Sequence, residues 1–282
     1  MKYSKAYACS GTQKMTIEYS FDDVTRKYWN SIAENYRVAI NILTNEFHYG
    51  PLVPPDSQLK LLPEKVTNLR CLELGCGIAQ NSVYLAKQGA ECVAIDISEE
   101  QIANARKLAQ KENVKIELAS FSMEDASCKK LGLFDIVHSS YAISFTQHPG
   151  QVIKNCAEML STGGILLFST GHPLFAGEWI DLDGESGLFL QNYFKPEPDS
   201  RFDDEGRELV RSSLFPVSVM ADWILDAGLK IERILEPEPM PIDKMSEQEI
   251  SRKVPYASKG WLELYEQLKN VPALIIFKCS KS

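Results

Sequence analysis

From Arg70 onward, short apolar segments alternate with segments of helical periodicity, and this alternation constrains the fold more than any other feature of the chain. Strands that alternate with helices form βαβ units, which build a parallel sheet covered by helices on both faces. The predicted strands cover 70–75, 91–96, 115–120, 134–139, 165–170, 229–239 and 272–280. The predicted helices between them cover 81–90, 98–114, 151–164 and 216–228. The pattern therefore predicts an α/β fold.

The rest of the 282-residue chain is arranged around this alternation. We predict a flexible N-terminal arm (1–20), a helical N-terminal cap (21–62), a core (63–171), an insertion (172–214) and a C-terminal part of the core (215–282) that contains a second insertion (240–270). Asp22 or Asp23 is predicted to cap the first helix, and Asp56 a short second helix. Ser98, with Gln101 three residues later, has the spacing of a capping box.

The segment ELGCG (73–77) joins the first predicted strand to the helix that follows it. Gly75 and Gly77 allow a sharp turn and let a ligand approach the backbone without obstruction by a Cβ atom. Asp96 ends the second strand about 20 residues later, where an acid in a doubly wound sheet hydrogen bonds to a bound ribose. These residues together predict a cofactor that contains a nucleoside.

Two classes of cofactor fit this geometry. A dinucleotide site needs the pattern G-x-G-x-x-G, whose third glycine brings the helix close to the strand. Gln80 occupies that third position here. S-adenosylmethionine has no pyrophosphate, and its site needs a carboxylate in the first strand, which Glu73 provides. We therefore favour S-adenosylmethionine, and a nicotinamide-dependent oxidoreductase is the alternative.

Several segments of the chain resemble class I S-adenosylmethionine-dependent methyltransferases, in particular the small-molecule branch that includes methyltransferase types 11 and 25. The segments are CLELGCG (71–77), VAIDIS (93–98), SMEDAS (122–127), FDIVHSSYAIS (134–144) and MLSTGGILLFST (159–170), together with HYGP (48–51) as an upstream element of some members. The resemblance implies a doubly wound, seven-stranded, mostly parallel Rossmann-like sheet, whose last two strands form an antiparallel edge. It also implies a lid over the carboxyl ends of the strands, formed by 21–62 and 172–214, whose aromatic residues exclude water.

The same resemblance implies S-adenosylmethionine as cofactor and S-adenosylhomocysteine as product. The expected reaction is in-line transfer of a methyl group to oxygen, nitrogen or carbon of a small-molecule acceptor. The residues expected to contact the cofactor are Tyr36, Tyr49, Glu73, Gly75, Cys76, Gly77, Gln80, Asn81, Asp96, Ile97, Gln101, Ser122, Met123, Glu124, Ser139 and Ser140.

A general base is needed only when the acceptor must lose a proton, as a hydroxyl does. His172 follows the fifth predicted strand, at the carboxyl end where open α/β sheets bind ligands. His48 belongs to the HYGP segment, which is expected to border the same pocket. We predict His172 as the first candidate base and His48 as the second.

The charge of the chain bears on its partners. It carries 30 Lys and Arg against 38 Asp and Glu, a formal net charge of −8. A dedicated nucleic-acid binder usually has a basic surface, so no nucleic-acid partner is expected. Methylation of a protein or RNA stays an alternative, as does a cofactor-binding module without catalysis. The sequence leaves a monomer or a homodimer open.

The seven cysteines are scattered, and none is part of a CxxC pair. They indicate reduced thiols rather than a disulfide framework or a zinc site, so no metal is expected. The apolar runs are too short for a membrane helix, and the N-terminal segment has no apolar stretch typical of a secretory signal. We therefore expect a cytoplasmic protein with no membrane partner.

Overall fold

The computed structural model of the chain describes residues 20–39, 43–125 and 130–282, without the side chains of residues 36–39. The predicted N-terminal arm, apart from Ser20, lies outside the described residues, and so does the side chain of Tyr36. Within the described ranges, no helix combines the length and apolarity that crossing a lipid bilayer requires.

The seven predicted strands from Arg70 onward are all present, and the described residues form four further strands that were not predicted. The strands are β1 (Arg70–Leu74), β2 (Glu91–Asp96), β3 (Ile116–Ser120), β4 (Phe134–Ser140), β5 (Leu160–Gly171), β6 (Glu178–Leu182), β7 (Glu185–Phe189), β8 (Asp199–Phe202), β9 (Glu208–Ser212), β10 (Leu229–Leu235) and β11 (Leu274–Lys281). β5 begins five residues earlier than predicted, and β6 to β9 are the four strands that were not predicted. Seven of the described strands form one sheet in the order β10-β11-β5-β4-β1-β2-β3. The predicted doubly wound, seven-stranded, Rossmann-like sheet is confirmed.

The direction of one edge strand differs in detail from the prediction. β11 pairs antiparallel with both β5 and β10, while the pairs among β1 to β5 are parallel. β10 therefore runs in the same direction as β1 to β5, and β11 alone is reversed within this sheet. β11 lies between β5 and β10 in the sheet and is buried over most of its length.

Helices cover the sheet on both faces. They are α1 (Phe21–Ala39), α2 (Asp56–Leu59), α3 (Gln80–Lys87), α4 (Glu99–Lys111), α5 (Pro149–Met159), α6 (Val217–Asp226), α7 (Glu247–Lys253), α8 (Lys259–Glu263) and α9 (Tyr265–Leu268). Ser98 caps α4 as predicted, because its side chain accepts a hydrogen bond from the Gln101 N–H at 3.1 Å. The Gln101 side chain does not complete the predicted capping box, since the Ser98 N–H donates to Asp96 instead. The described N-terminus of α1 is capped by Ser20 rather than Asp22 or Asp23, since Ser20 Oγ accepts the Asp23 N–H.

Alternating side chains of the strands supply two cores. On one face, Leu72 and Leu74 of β1 pack with α5 and α6, and Phe168 stacks on Phe277 with ring centroids 5.1 Å apart. On the other face, Cys71 of β1 packs with α3 and with the segment 47–66.

Asp56 lies within this segment 47–66. It does not cap α2 through its side chain, and instead Oδ1 accepts the N–H groups of Leu61 and Leu62.

The predicted insertion 172–214 forms two β-hairpins outside the main sheet. β6 pairs with β7, and β8 pairs with β9. We expected the aromatic side chains of this insertion to form part of a lid that excludes water. Three of them are exposed to solvent instead: Phe189 by 52%, Phe194 by 80% and Phe202 by 58%. These three rings do not close a pocket. The hairpin β8–β9 nevertheless packs on α1 and brings one side chain, Arg201, to the site described next.

Candidate functional site

The loop between β1 and α3 is shaped by two glycines with different surroundings. Gly75 has φ +63°, and a Cβ atom there would lie 2.4 Å from Cβ of Ala142 and 2.8 Å from Cε of Met123. Gly77 has φ +53°, but a Cβ atom there would meet nothing within 4 Å. Gly75 is therefore required for close packing of the loop, whereas Gly77 faces open space that a ligand can fill.

Asp96 is held at the end of β2 by two backbone donors. Oδ2 accepts the Gly77 N–H at 2.8 Å, and Oδ1 accepts the Ser98 N–H at 2.9 Å. The side chain is buried, and this burial raises its pKa to about 6. The carboxylate thus has a defined orientation beside the glycine loop, and both of these backbone donors are uncharged.

Glu73 is a second buried carboxylate of the same region. Oε2 accepts both the N–H of Ser82 at 3.0 Å and the hydroxyl of Ser82 at 2.6 Å. Burial raises the pKa of Glu73 to about 7. Ser82 is a residue that the sequence did not identify. Both donors to Glu73 are uncharged, so the negative charge of its ionised form is not neutralised by them. A positively charged ligand group nearby would stabilise that form.

A cavity of about 340 Å³ lies over the carboxyl ends of β1, β2 and β4. This volume is within the range of small-molecule sites. Many of the residues predicted from the sequence line it together: His48, Glu73, Gly75, Cys76, Gly77, Gln80, Asp96, Ile97, Gln101, Ser122, Met123 and Ser140. The Oε1 atom of Gln101 is buried without a hydrogen-bond partner.

Five other predicted residues do not line the cavity: Tyr49, Asn81, Glu124, Ser139 and His172. Ser139 Oγ donates to the backbone oxygen of Leu74, and Glu124 Oε1 accepts the N–H of Gln147. The hydroxyl of Tyr49 donates to Asp56. These contacts stabilise the loops around the cavity.

His172 is engaged on both sides of its ring. Nδ1 accepts the N–H of Leu174 at 3.2 Å, and Nε2 lies 2.9 Å from Oε1 of Glu236. The ring caps the short 3-10 turn that follows β5. Burial lowers the pKa of His172, although Glu236 acts in the opposite direction. The geometry gives this ring a structural role in the turn, and its role as a base stays a prediction.

The backbone of His48 is held firmly, while its ring is not. Asn81 accepts the His48 N–H at 3.0 Å and donates to the His48 carbonyl at 2.9 Å, and Ser140 Oγ donates to the same carbonyl. Both ring nitrogens are buried without a hydrogen-bond partner. Burial lowers the pKa of His48 to about 3, so the imidazole is neutral near pH 7. A neutral imidazole offers one donor and one acceptor, which suits a protic ligand group.

Several lining residues have no sequence motif that could have identified them. They are Asp22, Thr25 and Trp29 of α1, Arg201 of β8, and Tyr256, Ser258 and Trp261 of the second insertion. Arg201 Nη1 donates to the hydroxyl of Tyr28, and its guanidinium carbon lies 5.6 Å from the centroid of that ring. The insertion 240–270 therefore contributes to the cavity through three side chains.

The lining is acidic. Among the described residues that line the cavity, Asp22, Glu73 and Asp96 carry carboxyl groups, and Arg201 is the one permanently cationic side chain. Such a surface complements a ligand with positive charge. The two negative charges of a pyrophosphate would instead face these carboxylates, which disfavours a dinucleotide at this site.

Comparison with known proteins agrees with this description. Residues 72–168 match the family described as "Methyltransferase domain". The "Ubiquinone biosynthesis O-methyltransferase" of Xanthomonas axonopodis pv. citri (strain 306) is 27% identical over 165 residues, which cover 58% of this chain and 64% of that protein. The alignment thus spans less than two thirds of the relative's length.

Solved structures share the fold at low sequence identity. A "S-adenosylmethionine dependent methyltransferase from Mesorhizobium loti" is 23% identical, with a TM-score of 0.61, over 80% of this chain and 96% of that chain. The cyclase SpnF is 15% identical, with a TM-score of 0.60, over 93% of this chain and 97% of that chain. Because a structure described as a cyclase has the same architecture, the fold alone does not determine the reaction.

Proposed function

We propose that the chain is a class I S-adenosylmethionine-dependent methyltransferase that transfers a methyl group from this cofactor to oxygen, nitrogen or carbon of a small-molecule acceptor. The match of residues 72–168 to the methyltransferase-domain family supports this proposal. One observation carries the proposal: two buried carboxylates, Glu73 and Asp96, flank an open glycine loop and receive hydrogen bonds from uncharged donors. A cofactor with a sulfonium and an ammonium group supplies the positive charge that this arrangement lacks.

The residues fit S-adenosylmethionine in three respects. The oriented carboxylate of Asp96 is an acceptor for the two hydroxyl groups of a ribose. Gly77 leaves the space above the loop free of side-chain atoms. Ser122, Met123 and Ile97 all line the cavity, and we place the adenine ring against them. When bound, the cofactor supplies a methyl group that the sulfonium has already activated.

The protein's own contribution is to align the acceptor and exclude water. A lone pair of the acceptor atom forms the new bond to the methyl carbon, and the electrons of the broken bond remain on sulfur. When the acceptor is a hydroxyl, its proton must also leave. We place His48 next to that proton, because it is the candidate base that lines the cavity and has unpartnered ring nitrogens.

We also propose that the acceptor is a small molecule rather than RNA. The cavity is acidic and small, and the chain carries a net charge of −8, so a polyanion would be repelled. A protein side chain remains the alternative acceptor. The cytoplasmic location, and the roles of 21–62 and 172–214 as a lid, belong to the same proposal.

Calorimetric titration of the purified protein tests the cofactor. We expect S-adenosylmethionine and S-adenosylhomocysteine to bind with micromolar dissociation constants, about −8 kcal/mol, and NAD to give no heat of binding. Binding of NAD alone would replace the proposal with an oxidoreductase. Binding of the sulfur cofactors, with no methyl transfer to any of a broad set of small molecules, would favour a protein acceptor or a reaction other than methylation.

A further inference from the structure

Three aromatic side chains line the cavity together and form what we call the aromatic recess: Tyr141, Tyr256 and Trp261. The rings of Tyr141 and Trp261 are 6.1 Å apart between centroids, with planes at 78°. The back of Trp261 is supported by Phe175, which stacks on it at 5.7 Å with planes at 25°. The recess is therefore bounded by flat surfaces whose orientation is set by packing behind them.

The backbone of the recess is held in an unusual conformation. Tyr141 has φ +58° and Tyr256 has φ +56°, which is the left-handed region that bulky residues rarely adopt. The N–H of Tyr141 donates to the carbonyl and to Oγ of Ser169, both at 3.1 Å. Strained residues of this kind persist where the surrounding structure overdetermines them, which is common at ligand sites.

The recess is joined to the HYGP loop by backbone hydrogen bonds. The N–H of Leu52 donates to the carbonyl of Pro255 at 3.1 Å, and the N–H of Met240 donates to the carbonyl of Leu52 at 2.8 Å. A side chain at Gly50 (φ +148°) would lie 2.7 Å from Leu274 and 3.4 Å from the ring of Tyr141. These backbone hydrogen bonds thus connect the loop that carries His48 directly to the second insertion.

His48 connects the recess with the cofactor side of the cavity. Its ring lies edge-on to Tyr256, with centroids 5.3 Å apart, and its backbone is bound by Asn81 of α3 and Ser140 of β4. Its two unpartnered nitrogens are buried polar atoms, and leaving such atoms unpaired is unfavourable. A protic group of a ligand in the recess would satisfy one of them.

The recess has no positive charge of its own among the described residues. Arg201 is the one permanently cationic side chain in the described lining, and its guanidinium lies against Tyr28 of α1 rather than against the recess. An anionic group brought into the recess would lose its hydration without gaining a counterion. Flat aromatic walls favour a planar ring, because aromatic pairs gain energy beyond their buried area.

We propose that the aromatic recess is the acceptor subsite, and that it selects an uncharged planar ring whose hydroxyl group hydrogen bonds to His48. This inference rests on the proposed function and narrows its acceptor. The second insertion then supplies acceptor specificity through Tyr256 and Trp261, while the sheet supplies the cofactor site. An acceptor with a carboxylate on its ring is excluded by charge rather than by shape.

Binding calorimetry tests the recess without relying on turnover. The probes are catechol, 3,4-dihydroxybenzoate, which adds a carboxylate, and veratrole, which replaces both hydroxyl protons by methyl groups. Each is titrated into the free protein and into the protein saturated with S-adenosylhomocysteine. We expect catechol to bind the saturated protein at least about tenfold more tightly than either of the other two probes.

Two substitutions and a control locate the binding. Trp261→Ala is expected to weaken catechol binding by about tenfold and to leave the affinity for S-adenosylhomocysteine unchanged. His48→Phe is expected to remove the preference for catechol over veratrole, since the ring stays and the nitrogens go. Trp179→Ala, the same chemical change on the hairpin β6–β7 outside the cavity lining, serves as the control and is expected to change neither.

The outcomes separate the two proposals. If S-adenosylhomocysteine binds but 3,4-dihydroxybenzoate binds as well as catechol, or Trp261→Ala behaves like Trp179→Ala, the recess inference is wrong and the cofactor assignment stands. If S-adenosylhomocysteine does not bind, the proposed function is wrong. The recess is then judged from the titrations of the free protein, where loss of catechol binding in Trp261→Ala supports it and an unchanged affinity overturns it.

Discussion

The cavity has two walls that are built by different means. The wall formed by the ends of β1 and β2 holds its key groups through backbone hydrogen bonds, such as those from Gly77 and Ser98 to Asp96. The opposite wall is made of rings that pack on one another, such as Trp261 on Phe175. One wall offers buried carboxylates and the other flat apolar surface, with His48 between them.

This difference assigns separate tasks to the two walls. The position of Asp96 follows from the topology of a doubly wound sheet, which brings the carboxyl ends of neighbouring strands together. The position of Trp261 depends on a segment outside the sheet, which can change without disturbing the sheet core. The affinity for the cofactor should therefore change when a substitution alters charge or backbone conformation at the sheet. The affinity for the acceptor should change when a substitution alters the shape of the aromatic recess.

The largest effect is expected when the sheet-built wall loses its oriented carboxylate. Asp96→Ala removes the acceptor for both backbone N–H groups and, at the proposed cofactor site, for the ribose hydroxyls. Two hydrogen bonds to a charged group amount to about 3 kcal/mol, so we expect affinity for S-adenosylmethionine to fall by about 100-fold. Calorimetry measures this loss, and Asp203→Ala on the exposed β8–β9 hairpin is the control. Wild-type affinity in Asp96→Ala would mean that the cofactor site lies elsewhere.

The two glycines of this wall should respond differently to the same substitution. Gly75→Ala introduces a Cβ atom that overlaps Ala142 and Met123 at a positive φ, so we expect the free energy of unfolding to fall by about 2–3 kcal/mol. Gly77→Ala meets no atom within 4 Å, so we expect a fall of about 1 kcal/mol. Urea denaturation measures both values.

Calorimetry on the folded Gly77→Ala protein completes this comparison. Because the new methyl group points into the open space above the loop, the variant should lose affinity for S-adenosylmethionine despite its small loss of stability. If Gly77→Ala binds the cofactor normally, the open space above Gly77 is not occupied by it.

The sheet-built wall was also the predictable one. Strand periodicity, the glycine pair and the acid that ends β2 are local signals, and they located Glu73 and Asp96 before any tertiary contact was known. Each signal reflects a local requirement: apolar residues on buried strands, positive φ at the turn, and a carboxylate at a strand end. The capping role of Ser98 is local in the same way, and it too was predicted.

The ring-built wall could not be predicted, because its contacts join distant parts of the chain. Trp261 and Phe175 belong to two segments without regular periodicity, and nothing in either segment indicates that they stack. Arg201 reaches the cavity only because the β8–β9 hairpin packs on α1. The caps assigned to Asp22 or Asp23 and to Asp56 were wrong for a local reason, since Ser20 caps α1 and the Asp56 side chain accepts the N–H groups of Leu61 and Leu62 instead.

A smaller effect is expected from the charge of Glu73. Burial raises its pKa to about 7, and the carboxylate form is the one that attracts a cation. Affinity for S-adenosylmethionine should therefore rise with pH between about 6 and 8. Glu73→Gln keeps an acceptor for Ser82 but removes the charge, so we expect about tenfold weaker binding at pH 8 and little difference near pH 5.5.

The stability of the Glu73→Gln protein should change in the opposite sense. A folded-state pKa above the unfolded value of 4.5 means that the folded protein binds the proton more tightly, so ionisation destabilises it as pH rises through that window. The variant escapes this penalty, and we expect it to be more stable than the wild type by about 1–2 kcal/mol at pH 8 and equal near pH 4. If Glu73→Gln were less stable than the wild type at pH 8, ionisation of Glu73 would not lower the free energy of unfolding, and this prediction would be wrong.

The smallest effect is expected on the exposed rings of the hairpin region, which belong to neither wall. Phe194 is 80% exposed and does not line the cavity. Phe194→Ser should therefore change the free energy of unfolding by less than about 0.5 kcal/mol and leave cofactor and catechol binding unchanged. Trp261→Ala is the matched comparison, because it alters the other aromatic-rich insertion. If Phe194→Ser weakened catechol binding as Trp261→Ala is expected to do, the hairpins would close over the acceptor, and the second wall would extend beyond the aromatic recess.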